Sequence, residues 1–122
     1  MNSKILLVIR IVFALFLLFF GLNKFFHFMS PPPPPEDAMA YWTGLSASKT
    51  MTLVAIVEIA AGLALLLNKY ASLMMLILMS VSVNAVLYHA TLDPASIGMA
   101  LALLILNVIM LYAYKDHYKS LL

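Results

Sequence analysis

The chain has 122 residues, 65% of them hydrophobic and only 10% charged, with a mean hydropathy of +1.04. A soluble domain carries roughly 45–50% apolar and about 25% charged residues, so this composition excludes an ordinary soluble globule and a disordered tail. Seven basic and five acidic residues give a formal charge of +2, too little for the phosphate-tracking groove of a nucleic-acid binder, and the lack of cysteine excludes disulfides, thiolate metal sites and iron–sulfur clusters. The apolar surplus needs lipid as its solvent. The length suits one domain, residues 1–122.

Four apolar segments are long enough to cross a bilayer, which takes about 20 residues per helix. The first is expected near residues 5–28. Lys4 followed by an apolar run resembles a secretory leader, but the run exceeds an h-region of about 7–15 residues and contains Arg10. It therefore reads as a membrane span. Arg10, Ala14, Leu17, Gly21, Lys24 and Phe28 recur at 4-3-4-3-4 spacing and share one face.

A loop from Ser30 to Lys49 follows. Pro31 to Pro35 predict a stiff polyproline II spacer. Glu36 and Asp37, directly after a proline, are a helix start. Met39, Tyr41, Trp42 and Leu45 would then form the apolar surface of a short interfacial helix. The segment is either a strut with an interfacial anchor or a lid over an outward-facing site.

The second span is expected at 50–67, with Ala55, Glu58, Gly62 and Leu65 on one face. The small residues let another helix approach Glu58. Asn68-Lys69 breaks the pattern before a third span at 70–90, in which Ser80, Asn84 and Tyr88 recur every four residues. The Thr91-Leu92-Asp93-Pro94 turn leads into a fourth span at 95–114, with Ser96, Ala100, Leu103, Asn107 and Tyr114 near one face. The last two connections are so short that these spans must be antiparallel neighbours. The fold expected is all-α: an antiparallel four-helix transmembrane bundle with a proline-rich outer loop carrying a short helix. No internal repeat is visible, which disfavours an inverted-repeat transporter.

Charge orients the bundle. Lys4, Arg10, Lys69, Lys115 and Lys119 fall at one end; Lys24 and Lys49, with Glu36, Asp37 and Asp93, fall at the other. The positive-inside rule makes the first end cytoplasmic. Both termini are then cytoplasmic, and the expected location is a bacterial-type inner membrane.

Inside a membrane the informative residues are polar, because a central charge costs about 2.5–3.5 kcal/mol on insertion scales. At about 1.5 Å per residue, Lys24 lies roughly 6 Å, Asn84 roughly 9 Å, Glu58 roughly 12 Å and Asn107 roughly 18 Å below the outer edge. The four helices thus each send a polar group towards a common interior, with Gly21 and Gly62 as packing positions. A Lys24–Glu58 pair could be glue fixing the register of the first two spans, or part of a site handling protons or a ligand headgroup. Arg10, near the inner edge, is expected to snorkel to headgroups. His27 and His89 lie at outer helix ends at similar depth, and two such histidines could ligate a haem iron. Against this, neither is mid-helix among small residues, and interfacial histidines are usually only polar ends. No metal-binding motif, P-loop, nucleophile elbow or dinucleotide fingerprint is present.

The order Gly21-Leu22-Asn23-Lys24-Phe25-Phe26, a proline-bearing loop, Val57-Glu58-Ile59-Ala60-Ala61-Gly62, Asn84 to His89, and Leu92-Asp93-Pro94-Ala95 resembles the DoxX family of small four-helix membrane proteins over nearly the whole chain. The resemblance implies a quinone-linked redox setting and, by motif position, attention to Lys24, Glu58 and Gly62. It implies no enzymatic activity of the chain alone. The function expected is a non-catalytic or quinone-associated accessory subunit of a membrane oxidoreductase system, with a quinone as the implied cofactor. A purely structural or assembly subunit is the alternative, and a small proton-coupled carrier a weaker one. Expected partners are the lipid bilayer and other membrane subunits or further copies of the chain, not nucleic acid.

Overall fold

The four apolar runs fold as four helices long and apolar enough to span a membrane: α1 (Ser3–Phe26), α3 (Thr50–Leu67), α4 (Ala71–Leu92) and a last span, Pro94–Ala113. That last span opens with a 3-10 turn, Pro94–Ser96, and continues as α5 (Ile97–Ala113). A shorter helix, α2 (Glu36–Ala47), precedes α3, and the chain closes with a 3-10 segment, Lys115–Leu121. The computed structural model describes residues 3–27 and 34–121, so the expected polyproline spacer at Pro31–Pro33 and the Phe28 end of the first span lie outside the described residues. Pro35, with φ −56° and ψ 154°, has polyproline II geometry and hands the chain to α2. Among the described residues there is no strand, as lipid demands of a chain that must satisfy its backbone groups within each helix.

The helices form a ring in the order α1, α3, α4, α5, with α1 packed most extensively on α3 and α4 on α5. Phe13, Leu17, Leu65, Met75, Leu78 and Met110 are buried at its centre. Two glycines set the α1–α3 spacing. A methyl group on Gly21 would lie 2.8 Å from Ile59 Cγ1 and 3.2 Å from the Ala55 carbonyl; one on Gly62 would lie 2.8 Å from Leu18 Cγ and 3.0 Å from the Ala14 carbonyl. The backbones approach because neither position carries a side chain.

Helix ends are closed by polar devices. Asn68 adopts the left-handed conformation at φ 52°, which asparagine tolerates better than most residues, and the Asn68 and Lys69 amides donate back to the Leu65 and Ala64 carbonyls. Arg10 donates through Nη1 to the carbonyls of Leu65 and, at 3.4 Å, Leu66. Its sequence-based placement among headgroups is therefore incomplete: the last carbonyls of α3 lack the regular i+4 helical donors, and a neighbouring guanidinium adds to the capping bond at Leu65 and reaches Leu66. Tyr114 donates to Asn68 Oδ1 at 3.0 Å and Tyr118 to the Ser72 carbonyl at 2.8 Å, tying the chain's last turns to the α3–α4 turn. Burial pushes both phenols up, an effect that the nearby Arg10 charge opposes at Tyr114.

Asn107, fully buried on α5, accepts from Ser82 Oγ at 2.7 Å and donates to the Met75 carbonyl at 3.1 Å, both on α4. Interhelical hydrogen bonds in membranes average about 0.6 kcal/mol and reach about 1.7. Asn107→Leu is expected to destabilise the bundle within that range, measured by thermal unfolding in detergent. Ser82→Ala should cost less, since the Asn107 amide keeps its bond to Met75.

Candidate functional site

The α2 end of the bundle encloses a cavity of about 480 Å³, within the usual range for a small-molecule site. α1 and α3 are held close by their glycines, and the cavity lies between the α2-proximal parts of α1, α3, α4 and α5. Phe16, Phe20, Val54, Val57, Val81, Ala100 and Leu103 give the walls an apolar character. The lining residues Leu53, Ser80, Asn84 and Met99 are also exposed, so the space opens on the flank of the bundle, where lipid lies.

α2 roofs this space. Ala38 is fully buried, and Tyr41, Trp42 and Leu45 continue the same face at i+3, i+4 and i+7 and line the cavity. Met39, expected on that surface, is 49% exposed and turns away, because it stands about 100° round the helix from Ala38. Trp42 Nε1 donates to the Tyr88 hydroxyl at 2.5 Å. Tyr41 stacks on the Tyr88 ring at 4.9 Å and 20°, and His89 meets that ring edge-on at 4.8 Å. A buried tyrosine on α4 thus anchors the roof. The sequence placed Tyr88 on the Ser80–Asn84 stripe but gave no sign that Trp42 and Tyr41 would converge on it. Interfacial aromatics ordinarily meet headgroups, and these meet each other.

The polar feature of the wall is an ion pair. Lys24 Nζ on α1 stands 2.6 Å from Glu58 Oε1 on α3. The carboxylate side chain is 5% exposed and the lysine 25%. Lys24 also donates to the Phe20 carbonyl of its own helix at 3.4 Å. Glu58 Oε1, completely enclosed, receives no well-aligned hydrogen bond from the described residues, so the adjacent ammonium is its main electrostatic support. Gly21 makes the approach possible: its Cα side faces Glu58 Cβ so closely that a methyl there would sit 3.2 Å away.

The remaining sequence candidates separate. Asn84 lines the same cavity but donates to the Ser80 carbonyl of its own helix at 2.8 Å, and Ser80 in turn donates to Ile77. Asn107 lies outside the cavity lining and belongs to the α4–α5 latch. The sequence missed its partner Ser82, because a membrane serine that can bond back to its own helix, as this one does to Leu78 at 3.3 Å, carries no signal of an interhelical role. His89 lines the cavity, with Nδ1 3.2 Å from the Asp93 carbonyl, whereas His27 lies exposed beyond α1 with φ 55° and is not part of the lining. The two histidines do not share the cavity. Among the described residues no three His, Cys, Asp or Glu side chains gather as a metal site.

Chemically the site is an amphiphile's cavity: apolar walls, an aromatic roof, a lateral opening, and one carboxylate–ammonium pair able to hydrogen-bond or exchange a proton with a polar head. The family model described as DoxX matches residues 5–91, and the chain belongs to that family. The match runs from the start of α1 through α3 and nearly all of α4; the Leu92-Asp93-Pro94-Ala95 turn and α5 lie beyond it. Neither a curated protein nor a solved structure matches the chain.

Proposed function

We propose that this DoxX-family chain is a quinone-associated accessory subunit of a membrane redox system, in which the cavity beneath α2 takes the quinone head. The observation that carries the reading is the coincidence of an apolar, laterally open cavity of about 480 Å³ with the Lys24–Glu58 pair in its wall. A quinone is flat, has two carbonyl acceptors and drags an apolar tail. Lys24 is a donor for a carbonyl, Tyr41 and Trp42 offer faces for the ring, and the flank opening lets the tail remain in lipid. On reduction each quinone oxygen needs a proton, and a carboxyl group at the wall is a means of delivering one. In this reading the electrons come from a partner subunit. Five basic residues at the end away from α2 support a reading in which that end faces the cytoplasm of a bacterial-type inner membrane and the roof faces outward.

The single tryptophan of the chain, Trp42, lines the cavity and serves as the probe. Titrating purified protein in mild detergent with a decyl-substituted benzoquinone is expected to quench its fluorescence saturably. Ala85→Phe, which fills the cavity from α4, is expected to leave only the linear, collisional component. Equal, non-saturating quenching in both proteins would sink the quinone reading and leave the assembly role.

A further inference from the structure

A second cavity, of about 460 Å³, lies at the opposite end of the bundle, between the start of α1 and the end of α5. Lys4 and Arg10 line it, together with Asn68, Tyr114 and the apolar Leu6 and Leu7. No acidic side chain is among its lining residues. At this end of the molecule the one acidic side chain is Asp116, and it pairs with Lys119 at 3.3 Å. Arg10 is half-buried, and its hydrogen bonds run through Nη1 to the uncharged carbonyls of Leu65 and Leu66. Among the described residues its bonds go only to these carbonyls through one nitrogen, and the guanidinium presents its donors in the fixed fork that suits a phosphate.

We propose that this cavity binds the phosphodiester headgroup of an anionic phospholipid. Arg10 and Lys4 face the phosphate, and Asn68 and Tyr114 supply the polar rim. Leu6 and Leu7 carry the first methylenes of the acyl chains, Leu7 being half-exposed on the lipid-facing side. The mixture of two cations with an apolar flank selects a lipid over a free anion. The thin packing between α1 and α5 leaves room for a molecule to enter from the membrane. The site is independent of the quinone reading: it sits at the other end of the bundle and shares no lining residue with the cavity beneath α2.

The test is native mass spectrometry of the full chain released from mixed micelles of dioleoyl phosphatidylglycerol and dioleoyl phosphatidylcholine. The protein should retain phosphatidylglycerol in preference to phosphatidylcholine. A basic side chain near a membrane surface contributes about fivefold in affinity for anionic lipid, so Lys4→Ala should reduce that retention about fivefold. Arg10→Gln, which keeps an amide donor for the α3 carbonyls, should reduce it at least as far. Lys4 stands on the exposed first turn of α1, so its variant folds even if the Arg10 variant does not. Thermal unfolding in phosphatidylcholine micelles with added inorganic phosphate should show no shift, against a rise on adding phosphatidylglycerol. Equal retention of the two lipids, retention unchanged in Lys4→Ala, or a rise produced by inorganic phosphate alone would each overturn the proposal.

Discussion

Lys24→Met is expected to destabilise the bundle by about 3–5 kcal/mol, the usual cost of stranding one partner of a buried pair. Glu58→Gln is expected to cost distinctly less, and the double variant to recover part of the larger loss. The asymmetry comes from exposure. Glu58 is 5% exposed, and its enclosed oxygen has the Lys24 ammonium as its main support, so losing the lysine leaves a carboxylate sealed among apolar side chains. Lys24 is 25% exposed and already reaches the Phe20 carbonyl; freed of Glu58, its long stem can carry the ammonium towards the near membrane surface. Thermal unfolding of the four proteins in one detergent measures the cycle. Additive single effects would show that the two groups do not interact. A double variant that is stable yet no longer shows saturable quenching of Trp42 by the quinone would make the pair part of the site as well as of the scaffold.

Gly62→Leu is the second large effect, and it reaches the ion pair from a distance. The first carbon of any side chain there would lie 2.8 Å from Leu18 Cγ and 3.0 Å from the Ala14 carbonyl, and the latter is backbone that cannot swing aside. Overpacking of this kind costs about 1–3 kcal/mol when the surroundings yield. Here they yield by moving α1 away from α3, which also lengthens the distance between Lys24 and Glu58. Gly62→Leu should therefore lower the melting temperature markedly and make a following Lys24→Met change nearly silent. Gly98 and Gly44 are the controls, because a methyl at either meets nothing within 4 Å. Gly98→Ala should be neutral or slightly stabilising, since Gly98 stands in the first turn of α5, where the preference of about 1 kcal/mol for alanine over glycine in a helix interior applies only in part. Destabilisation by Gly98→Ala equal to that by Gly62→Leu would refute the packing argument.

The spans were legible in the sequence for a physical reason: in lipid a backbone must bond within its own helix, so apolar length alone decides the structure. The observed helices differ from the expected spans only at their ends. α4 runs on past the expected end at residue 90 to Leu92, because Asp93-Pro94 is what stops the helix. The meeting of Lys24 and Glu58 was legible because opposite charges at neighbouring depths have few other places to go. Less was readable where a side chain had several satisfactory states. Ser82 could bond its own helix, Arg10 could reach headgroups, and Trp42 and Tyr41 could float at the interface. In each case the third dimension chose, through the Asn107 amide, the last carbonyls of α3 and the Tyr88 ring respectively. The face of α2 was misjudged at Met39 for a simpler reason: one residue's rotation separates it from Ala38, and composition alone does not say where the arc is centred.

The tight turn at Asn68 also bears on how the chain is made. Because α3 and α4 are joined by so few residues, they are expected to enter the bilayer together as a hairpin, whereas the longer proline-bearing segment lets α1 enter ahead of them. Lys24 is therefore expected to enter the membrane before Glu58 does, and in that interval its ammonium has the Phe20 carbonyl within reach. The same snorkelling that softens its solitude holds that end of α1 near the surface. Arrival of the hairpin with its carboxylate is then expected to draw the end of α1 down to its final depth, a small vertical movement triggered by charge that waits on the third helix of the chain.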